Sequence, residues 1–223
     1  MTTPDWLERT SLLMGPDKME RFHRAHVLVV GTGGVGAYAA EMLVRAGIGR
    51  LTLLDADRVQ PSNINRQLCA LHSTVGEEKV RVLGLRFKDI NPELDLTVRA
   101  EFLEEHSAGA LLDSAKFDFI VDAIDTIAPK CALIEEAMKR RIRIVSSMGA
   151  GAKTDITQIR FADLWETFHC GLSKAVRARL KRDGMRRPLP AGFCAQQADP
   201  AALVQVEGER NKKTTTGTVS YMP

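Results

Sequence analysis

Short apolar runs alternate with amphipathic segments along the first two thirds of the chain. Residues 26–31 form a β-branched run that leads into glycine, a pattern typical of a buried parallel strand. Apolar residues then recur at helical spacing over 35–46, and a second apolar run covers Arg50–Asp55. The pattern therefore predicts strand, helix and strand in close succession.

The same alternation continues as far as residue 147. It predicts helices at about 77–90, 104–114 and 129–140, and strands at about 94–99, Phe117–Asp122 and Arg143–Ser147. Strands that alternate with helices favour parallel pairing with right-handed crossovers. We therefore predict an α/β fold, a Rossmann-like doubly wound and mainly parallel sheet with helices on both faces.

The rhythm changes beyond residue 150. A strand is predicted over Ile156–Phe161, a basic helix over about 171–183, and a loop rich in Pro, Gly and Ala over 184–202. The end, 218–223, reads as a strand with nothing after it to cover its edge. We expect a main domain over 1–150, with a helical N-terminal arm, and a small subdomain over 151–223 that is either truncated or covered by a partner.

Composition adds few constraints. A formal charge of +3 over 223 residues is too small by itself to indicate nucleic-acid binding. No run reaches membrane-spanning length and the N-terminus lacks the features of a secretory signal, so we expect a cytoplasmic protein with no membrane partner. The four cysteines form no C-x-x-C pair and are expected to be buried thiols.

The candidate chemistry begins at a glycine-rich turn between the first strand and helix. Gly31, Gly33, Gly34 and Gly36 lie where glycines let phosphates approach the backbone at a helix N-terminus. Asp55 ends the next strand, where its carboxylate can accept hydrogen bonds from ribose hydroxyls. These features alone leave open whether the ligand is ATP or a nicotinamide or flavin cofactor.

The loop after Asp55 favours a triphosphate. The loop contains carboxylate, amide and guanidinium groups, namely Asp57, Asn63, Asn65, Arg66 and Gln67. Lys79 follows on the next helix. A guanidinium pairs with phosphate oxygens in a fork, amides hold oxygens without adding charge, and an ammonium acts as a point charge. Taken alone, each of these residues could instead belong to a solvated polar loop that binds no ligand.

Asp125 is the candidate metal ligand. It follows the strand that ends at Asp122, at the sheet edge where such folds bind ligands. Magnesium usually takes one or two protein carboxylates and leaves its other positions to phosphate and water. The alternative is that Asp125 caps the helix that begins near Pro129.

These motifs together resemble the ThiF/MoeB superfamily, relatives of the ubiquitin-activating enzymes. The resemblance spans most of residues 5–160 and rests on GxGGVG, DxDxVxxSNxNRQ, Lys79 and DAIDT. It implies that ATP and a substrate carboxylate give an acyl-adenylate and pyrophosphate. It also implies that Asp55 binds ribose, that Asn63, Arg66, Gln67 and Lys79 hold the phosphates, and that Asp125 serves magnesium. Arg9 matches an arginine that reaches the partner's nucleotide, which implies a homodimer; the alternative is a surface arginine on an amphipathic helix.

Within that superfamily the chain most resembles the tRNA threonylcarbamoyladenosine dehydratases. The resemblance rests on Arg9–Gly15, Asn91–Glu93, Asp122–Asp125 with Pro129-Lys130, and Asp155–Leu164. It implies a tRNA substrate, and the seven basic residues within 174–187 are compatible with phosphate contacts.

Two alternatives stay open. One is adenylation of the C-terminal glycine of a ubiquitin-like sulfur carrier, with Cys194 as a thiol that could accept an acyl group or sulfur. The other is a non-catalytic nucleotide-binding scaffold that recruits a sulfur-transfer or tRNA-modifying partner.

Overall fold

The computed structural model describes residues 4–205 and 214–222. The helices are α1 (Glu8–Met14), α2 (Pro16–Arg24), α3 (Gly36–Arg45), α4 (Lys79–Ile90), α5 (Ala108–Asp113), α6 (Ile127–Lys139) and α7 (Gly171–Arg182). The strands are β1 (His26–Val30), β2 (Arg50–Leu54), β3 (Asp95–Arg99), β4 (Phe119–Asp122), β5 (Arg143–Ser147), β6 (Ile159–Asp163), β7 (Pro190–Cys194), β8 (Leu203–Gln205) and β9 (Thr214–Thr216).

Seven strands form one sheet in the order β3-β2-β1-β4-β5-β7-β6. All neighbouring pairs are parallel except β7 and β6, which are antiparallel. The chain proceeds outward from β1 to β3 and then returns to place β4 on the other side of β1. The point where the strand order reverses therefore lies between β1 and β4, and a separate hairpin pairs β8 with β9.

Helices cover both faces of this sheet. Successive side chains of β1 point to opposite faces, and all five of its residues are buried. Val27 and Val29 pack into a core with residues of α3 and α4. Leu28 and Val30 pack into a second core with residues of α5, α6 and α7. The predicted doubly wound α/β fold is confirmed.

Two local predictions were wrong. The loop predicted over 184–202 contains β7, a strand of the main sheet, because prolines and glycines there obscured the alternate burial of Leu189, Ala191 and Phe193. The strand predicted over 218–223 is instead a turn closed by a bridge between Val219 and Met222. Pro223 lies outside the described residues.

The boundary near residue 150 stays a prediction. The main sheet crosses it, since β5 precedes the boundary and pairs with β7, which follows it. The strand predicted over Ile156–Phe161 is shifted along the chain: residues 156–158 form a 3₁₀ turn, and β6 runs from Ile159 to Asp163. In the described ranges, no helix combines the length and the apolar character needed to cross a membrane.

Candidate functional site

A cavity of about 400 Å³ lies at the carboxyl ends of β1, β2 and β4. Val30 of β1 pairs with Leu54 on one side and with Asp122 on the other, so the loops after these three strands leave the sheet at one level. This is the reversal point of the strand order, where open α/β sheets bind ligands. The volume is within the usual range for small-molecule sites.

The glycine-rich turn forms one wall of the cavity. Gly31 has a φ of 86°, and a Cβ on it would lie 2.7 Å from the carbonyl oxygen of Ala123. A Cβ on Gly36 would lie 1.8 Å from the carbonyl oxygen of Gly31, so both positions require glycine. Gly33 and Gly34 line the cavity, and their N–H groups have no acceptor within 4–205 or 214–222. The turn therefore presents donors that suit an anion.

Asp55 contacts the glycine-rich turn, and its carboxylate is fixed by hydrogen bonds. Its Oδ2 accepts from the backbone N–H of Thr32 at 2.6 Å and from the Thr32 hydroxyl at 2.9 Å. Its Oδ1 accepts from the backbone N–H of Asp57 at 2.8 Å. The residue lines the cavity with its carboxylate oriented before any ligand arrives.

Lys79 and Asp57 form an ion pair at the cavity wall. The Lys79 Nζ lies 2.6 Å from Asp57 Oδ2, with the lysine side chain 5% exposed and the aspartate side chain 69% exposed. The lysine is the first residue of α4, and its backbone N–H also donates to the Asp57 carbonyl oxygen. Asp57 thus holds the ammonium beside the cavity, a role that the sequence did not reveal.

Arg66, Asn63 and Gln67 form a polar wall after β2. The Arg66 Nη1 donates to the Ser62 carbonyl oxygen at 3.0 Å, whereas Nε and Nη2 have no acceptor among the described residues. Asn63 is buried and its Oδ1 accepts from the backbone N–H of Gln60, which leaves its amide N–H₂ for a ligand. Gln67 is also buried, and its Oε1 has no partner in the described part of the chain. The unused N–H donors of Arg66 and Asn63 fit phosphate oxygens, whereas Gln67 Oε1 is an acceptor and fits a hydroxyl or N–H group of a ligand.

Asp125 is exposed and lines the cavity just before α6. The N-cap of α6 is Thr126, and no side chain caps it, so the capping alternative for Asp125 is not observed. No group of three or more His, Cys, Asp or Glu residues suited to a metal occurs in the described ranges. A cation here would therefore depend on one protein carboxylate together with ligand oxygens.

Asp122 has a different environment from Asp125. It is fully buried and accepts from the Lys130 ammonium at 2.8 Å and from the Ser146 hydroxyl at 2.5 Å. Lys130 also donates to the carbonyl oxygens of Ile124 at 2.9 Å and Ser147 at 2.8 Å. This buried network ties the loop that carries Asp125 to the end of β5.

Several residues that line the cavity escaped the sequence analysis. Phe102 and Leu103 follow β3, and their place after a predicted strand was a usable signal. Thr216 and Thr218 come from the far end of the chain, and nothing local to their sequence indicates that they approach the turn.

Three predicted residues do not line the cavity. Gly36 instead packs on the backbone of Gly31. The side chain of Asn65 donates to the Thr218 carbonyl oxygen at 3.1 Å and accepts from Arg66 Nη1 at 2.8 Å. Arg9 is exposed on α1, and its predicted role concerns the site of a second copy of the chain.

All four cysteines are buried. Cys194 lies on β7 with its Sγ 3.8 Å from the Asp155 carbonyl oxygen, away from the cavity lining. Burial raises the pKa of the Cys69 thiol and raises that of Cys131 to about 12. Thiols in such environments are poor nucleophiles.

The basic segment 174–187 is only partly available to a ligand. Arg177 donates to the carbonyl oxygens of Leu164 and Thr167, and Arg179 pairs with Glu105 and Asp183. The exposed basic residues of the segment are Lys174, Lys181, Arg182, Arg186 and Arg187.

Comparison with known proteins gives one consistent result. Residues 7–218 match the ThiF family. The chain is 41% identical over 185 residues to the tRNA threonylcarbamoyladenosine dehydratase of Bacillus subtilis, covering 83% of this chain and 72% of the relative. It is 41% identical over 181 residues to the enzyme of the same name from Escherichia coli, covering 80% of this chain and 67% of the relative.

Solved structures of the same enzyme are also similar to this chain. The crystal structure of the E. coli tRNA N6-threonylcarbamoyladenosine dehydratase, TcdA, in complex with ATP superposes with a TM-score of 0.84 at 37% identity, covering 90% of this chain and 87% of that chain. A more distant similarity, 32% identity over 154 residues, links the chain to the E. coli molybdopterin-synthase adenylyltransferase, covering 69% of this chain and 61% of the relative.

Proposed function

The chain belongs to the ThiF family, and from that premise we propose that it is an enzyme that uses ATP to adenylate a carboxylate. The observation that carries this proposal is that one cavity is lined by Gly33, Gly34, Asp55, Arg66 and Lys79 together. The turn presents backbone donors, Asp55 is oriented for ribose, and the two cations face the same space. The similarity to an ATP complex of a related enzyme supports the same ligand.

The chemistry follows from the weakness of a carboxylate as an electrophile. A substrate carboxylate oxygen attacks the α-phosphorus of ATP, the bond to the β-phosphate oxygen breaks, and pyrophosphate leaves with its negative charge. Arg66 and Lys79 stabilise the charge on the reacting phosphates, and the fixed loops position them. No protein nucleophile is needed for this step, which agrees with the buried state of Cys194.

The proposed substrate is N6-threonylcarbamoyladenosine in the anticodon loop of tRNA. Both curated relatives described above are named for that reaction. Once the threonyl carboxylate is joined to AMP, a nitrogen or oxygen of the carbamoyl group attacks the activated carbonyl carbon and closes a ring. The bond to AMP breaks, AMP leaves with one former carboxylate oxygen, and the attacking group releases a proton. The net change in the nucleoside is the loss of one water.

The tRNA surface is proposed to include the exposed end of α7 and the residues after it. Lys181, Arg182, Arg186 and Arg187 are exposed there, and the Arg186 guanidinium stacks 5.7 Å from the centre of the Trp165 ring. Lysine and arginine groups of this kind neutralise phosphates and make binding salt-dependent. Arg177 does not belong to this surface because its guanidinium is committed to backbone carbonyl oxygens.

Magnesium is proposed as the cofactor, with Asp125 as its protein ligand. Bound there, the ion would neutralise phosphate charge. The exposed carboxylate of Asp125 and the adjoining phosphate-binding donors suit a cation shared between the protein and the triphosphate.

A homodimer is also proposed, in which Arg9 of one copy reaches the cavity of the other. Leu12 and Leu13 of α1 support this because these apolar residues are 80% and 81% exposed. A tRNA substrate favours a cytoplasmic location. A sulfur-transfer partner remains a prediction of the sequence.

Labelled pyrophosphate exchange tests the adenylation step. Label should enter ATP only when threonylcarbamoylated tRNA is present, and Lys79→Ala should abolish the exchange. Lys139→Ala is the matched control because Lys139 is exposed on α6 and pairs with Glu136, away from the cavity. Exchange with a sulfur carrier protein but not with tRNA would favour the alternative substrate, and no exchange with either would refute the enzyme.

Mass spectrometry of the tRNA nucleosides tests the second half of the reaction. The modified adenosine should lose one water in the presence of ATP and the wild-type chain. An unchanged mass despite pyrophosphate exchange would refute the dehydration while leaving the adenylation intact.

A further inference from the structure

The segment 214–222 forms a wall of the cavity although it is distant in sequence. Strand β9 pairs with β8, and the next residue, Gly217, is anchored on both sides. Its carbonyl oxygen accepts from the Ala152 N–H at 2.8 Å, and its N–H donates to the Ala202 carbonyl oxygen at 2.8 Å. Thr216 and Thr218 line the cavity from this anchored position.

Asn65 joins this wall to Arg66. Its Nδ2 donates to the Thr218 carbonyl oxygen at 3.1 Å, and its Oδ1 accepts from Arg66 Nη1 at 2.8 Å. The same Nη1 donates to the Ser62 carbonyl oxygen at 3.0 Å. Both hydrogens of Nη1 are therefore committed, and the guanidinium is held by two contacts that lie outside the cavity.

This arrangement determines which edge of the guanidinium meets a ligand. With Nη1 committed, the edge formed by Nε and Nη2 remains, and a phosphate can accept from those two groups in the parallel geometry that arginine favours. Rotation about the last side-chain bonds of Arg66 would break the contact to Asn65 and turn this edge away.

We propose that Asn65 is a positioning residue that sets the orientation of Arg66 and couples it to the 214–222 wall. This inference rests on the proposed function, because it assumes that Arg66 binds the phosphates of ATP. Asn65 itself makes no contact with the nucleotide. A shift of the wall would therefore reach the reacting phosphates through Asn65 and Arg66.

Asn65→Ala tests whether Asn65 sets the orientation of Arg66. The exposed side chain leaves little packing to lose, so the melting temperature should match wild type, while the adenylation kcat falls about tenfold. In an Arg66→Ala background, Asn65→Ala should change neither kcat nor the ATP dissociation constant further. Effects that multiply in the double variant would overturn the proposal, since they would mean that Asn65 acts independently of Arg66.

Gly151→Ala tests whether the 214–222 wall is coupled to Arg66 through Asn65, at a residue that does not itself line the cavity. A Cβ at residue 151 would lie 2.5 Å from Thr216 Cγ2, so the variant displaces the wall. Thr216 lines the cavity itself, so part of the fall in kcat should persist when Asn65 is already alanine, but the fall should be smaller there than in wild type. Equal falls in both backgrounds would overturn the coupling.

Titration calorimetry with ATP separates this inference from the proposed function. If wild type binds ATP but catalyses no exchange, the function fails, and the inference is then judged by whether Asn65→Ala weakens ATP binding only when Arg66 is present. If wild type catalyses exchange and Asn65→Ala leaves kcat and ATP affinity unchanged, only the inference fails.

Discussion

Lys130→Met removes the ammonium from the buried network beneath the cavity. The substitution keeps an unbranched side chain of similar length but deletes every donor of the lysine head group. Asp122 Oδ2 then loses a partner at 2.8 Å, and the carbonyl oxygens of Ile124 and Ser147 each lose one. Asp122 keeps two other partners, because it still accepts from the Ser146 hydroxyl and from the Ile124 N–H.

The expected loss of stability is large because both side chains of the pair are 0% exposed. Removing one partner of a buried ion pair leaves a desolvated charge, which costs about 3–5 kcal/mol. For a chain of this size, each kcal/mol lowers the melting temperature by about 2–4 °C, so the variant should melt roughly 6–20 °C below wild type. Adding Asp122→Asn should recover part of the loss because it removes the stranded charge.

Urea unfolding followed by circular dichroism measures this loss. Lys139→Met is the matched control, since it makes the same substitution on the same helix at an ion pair whose lysine is 56% exposed. It should unfold at the same urea concentration as wild type. A loss below about 1 kcal/mol for Lys130→Met, or one equal to that of the control, would refute the view that this network holds the loop carrying Asp125.

Three further predictions follow from the same structure. Asp125→Ala should leave the melting temperature unchanged but abolish the magnesium dependence of turnover, and unchanged kinetics across a magnesium titration would refute its role. Burial lowers the pKa of His26 from 6.5, so the unfolded chain takes up a proton before the folded chain as pH falls, and stability should decrease below about pH 6.5; His26→Gln should flatten that part of the pH–stability curve. The pKa of about 12 for Cys131 leaves roughly a thousandfold less thiolate than an ordinary cysteine, so iodoacetamide at pH 8.5 should modify it only after unfolding, as peptide mass mapping would show.

The residues that the sequence placed correctly are those whose position in the fold depends on neighbours along the chain. The run 26–30 and the turn after it are local patterns of apolar residues and glycine, and so is the position of Asp55 one residue after β2. These determine the sheet edge and the ends of its strands, and therefore the place of the cavity.

The features that the sequence did not reveal depend on contacts between distant segments. Nothing near Asp57 indicates that its carboxylate pairs with Lys79, and nothing near Asn65 indicates that it meets Thr218. The pairing of β5 with β7 was also hidden, because prolines and glycines around residue 190 resemble a loop. Such contacts are decided by the packing of the whole chain, which a local pattern does not encode.

The 214–222 wall has a consequence for the order in which the protein is made. Synthesis produces the glycine turn, Asp55, Arg66 and Lys79 long before Thr218, and the N-terminal part of a chain folds first as it emerges. A chain still attached to the ribosome at β7 therefore carries every charged group of the cavity but lacks one side of it. ATP-dependent turnover by the nascent chain should begin only when β9 has docked, so that partly made chains do not consume ATP.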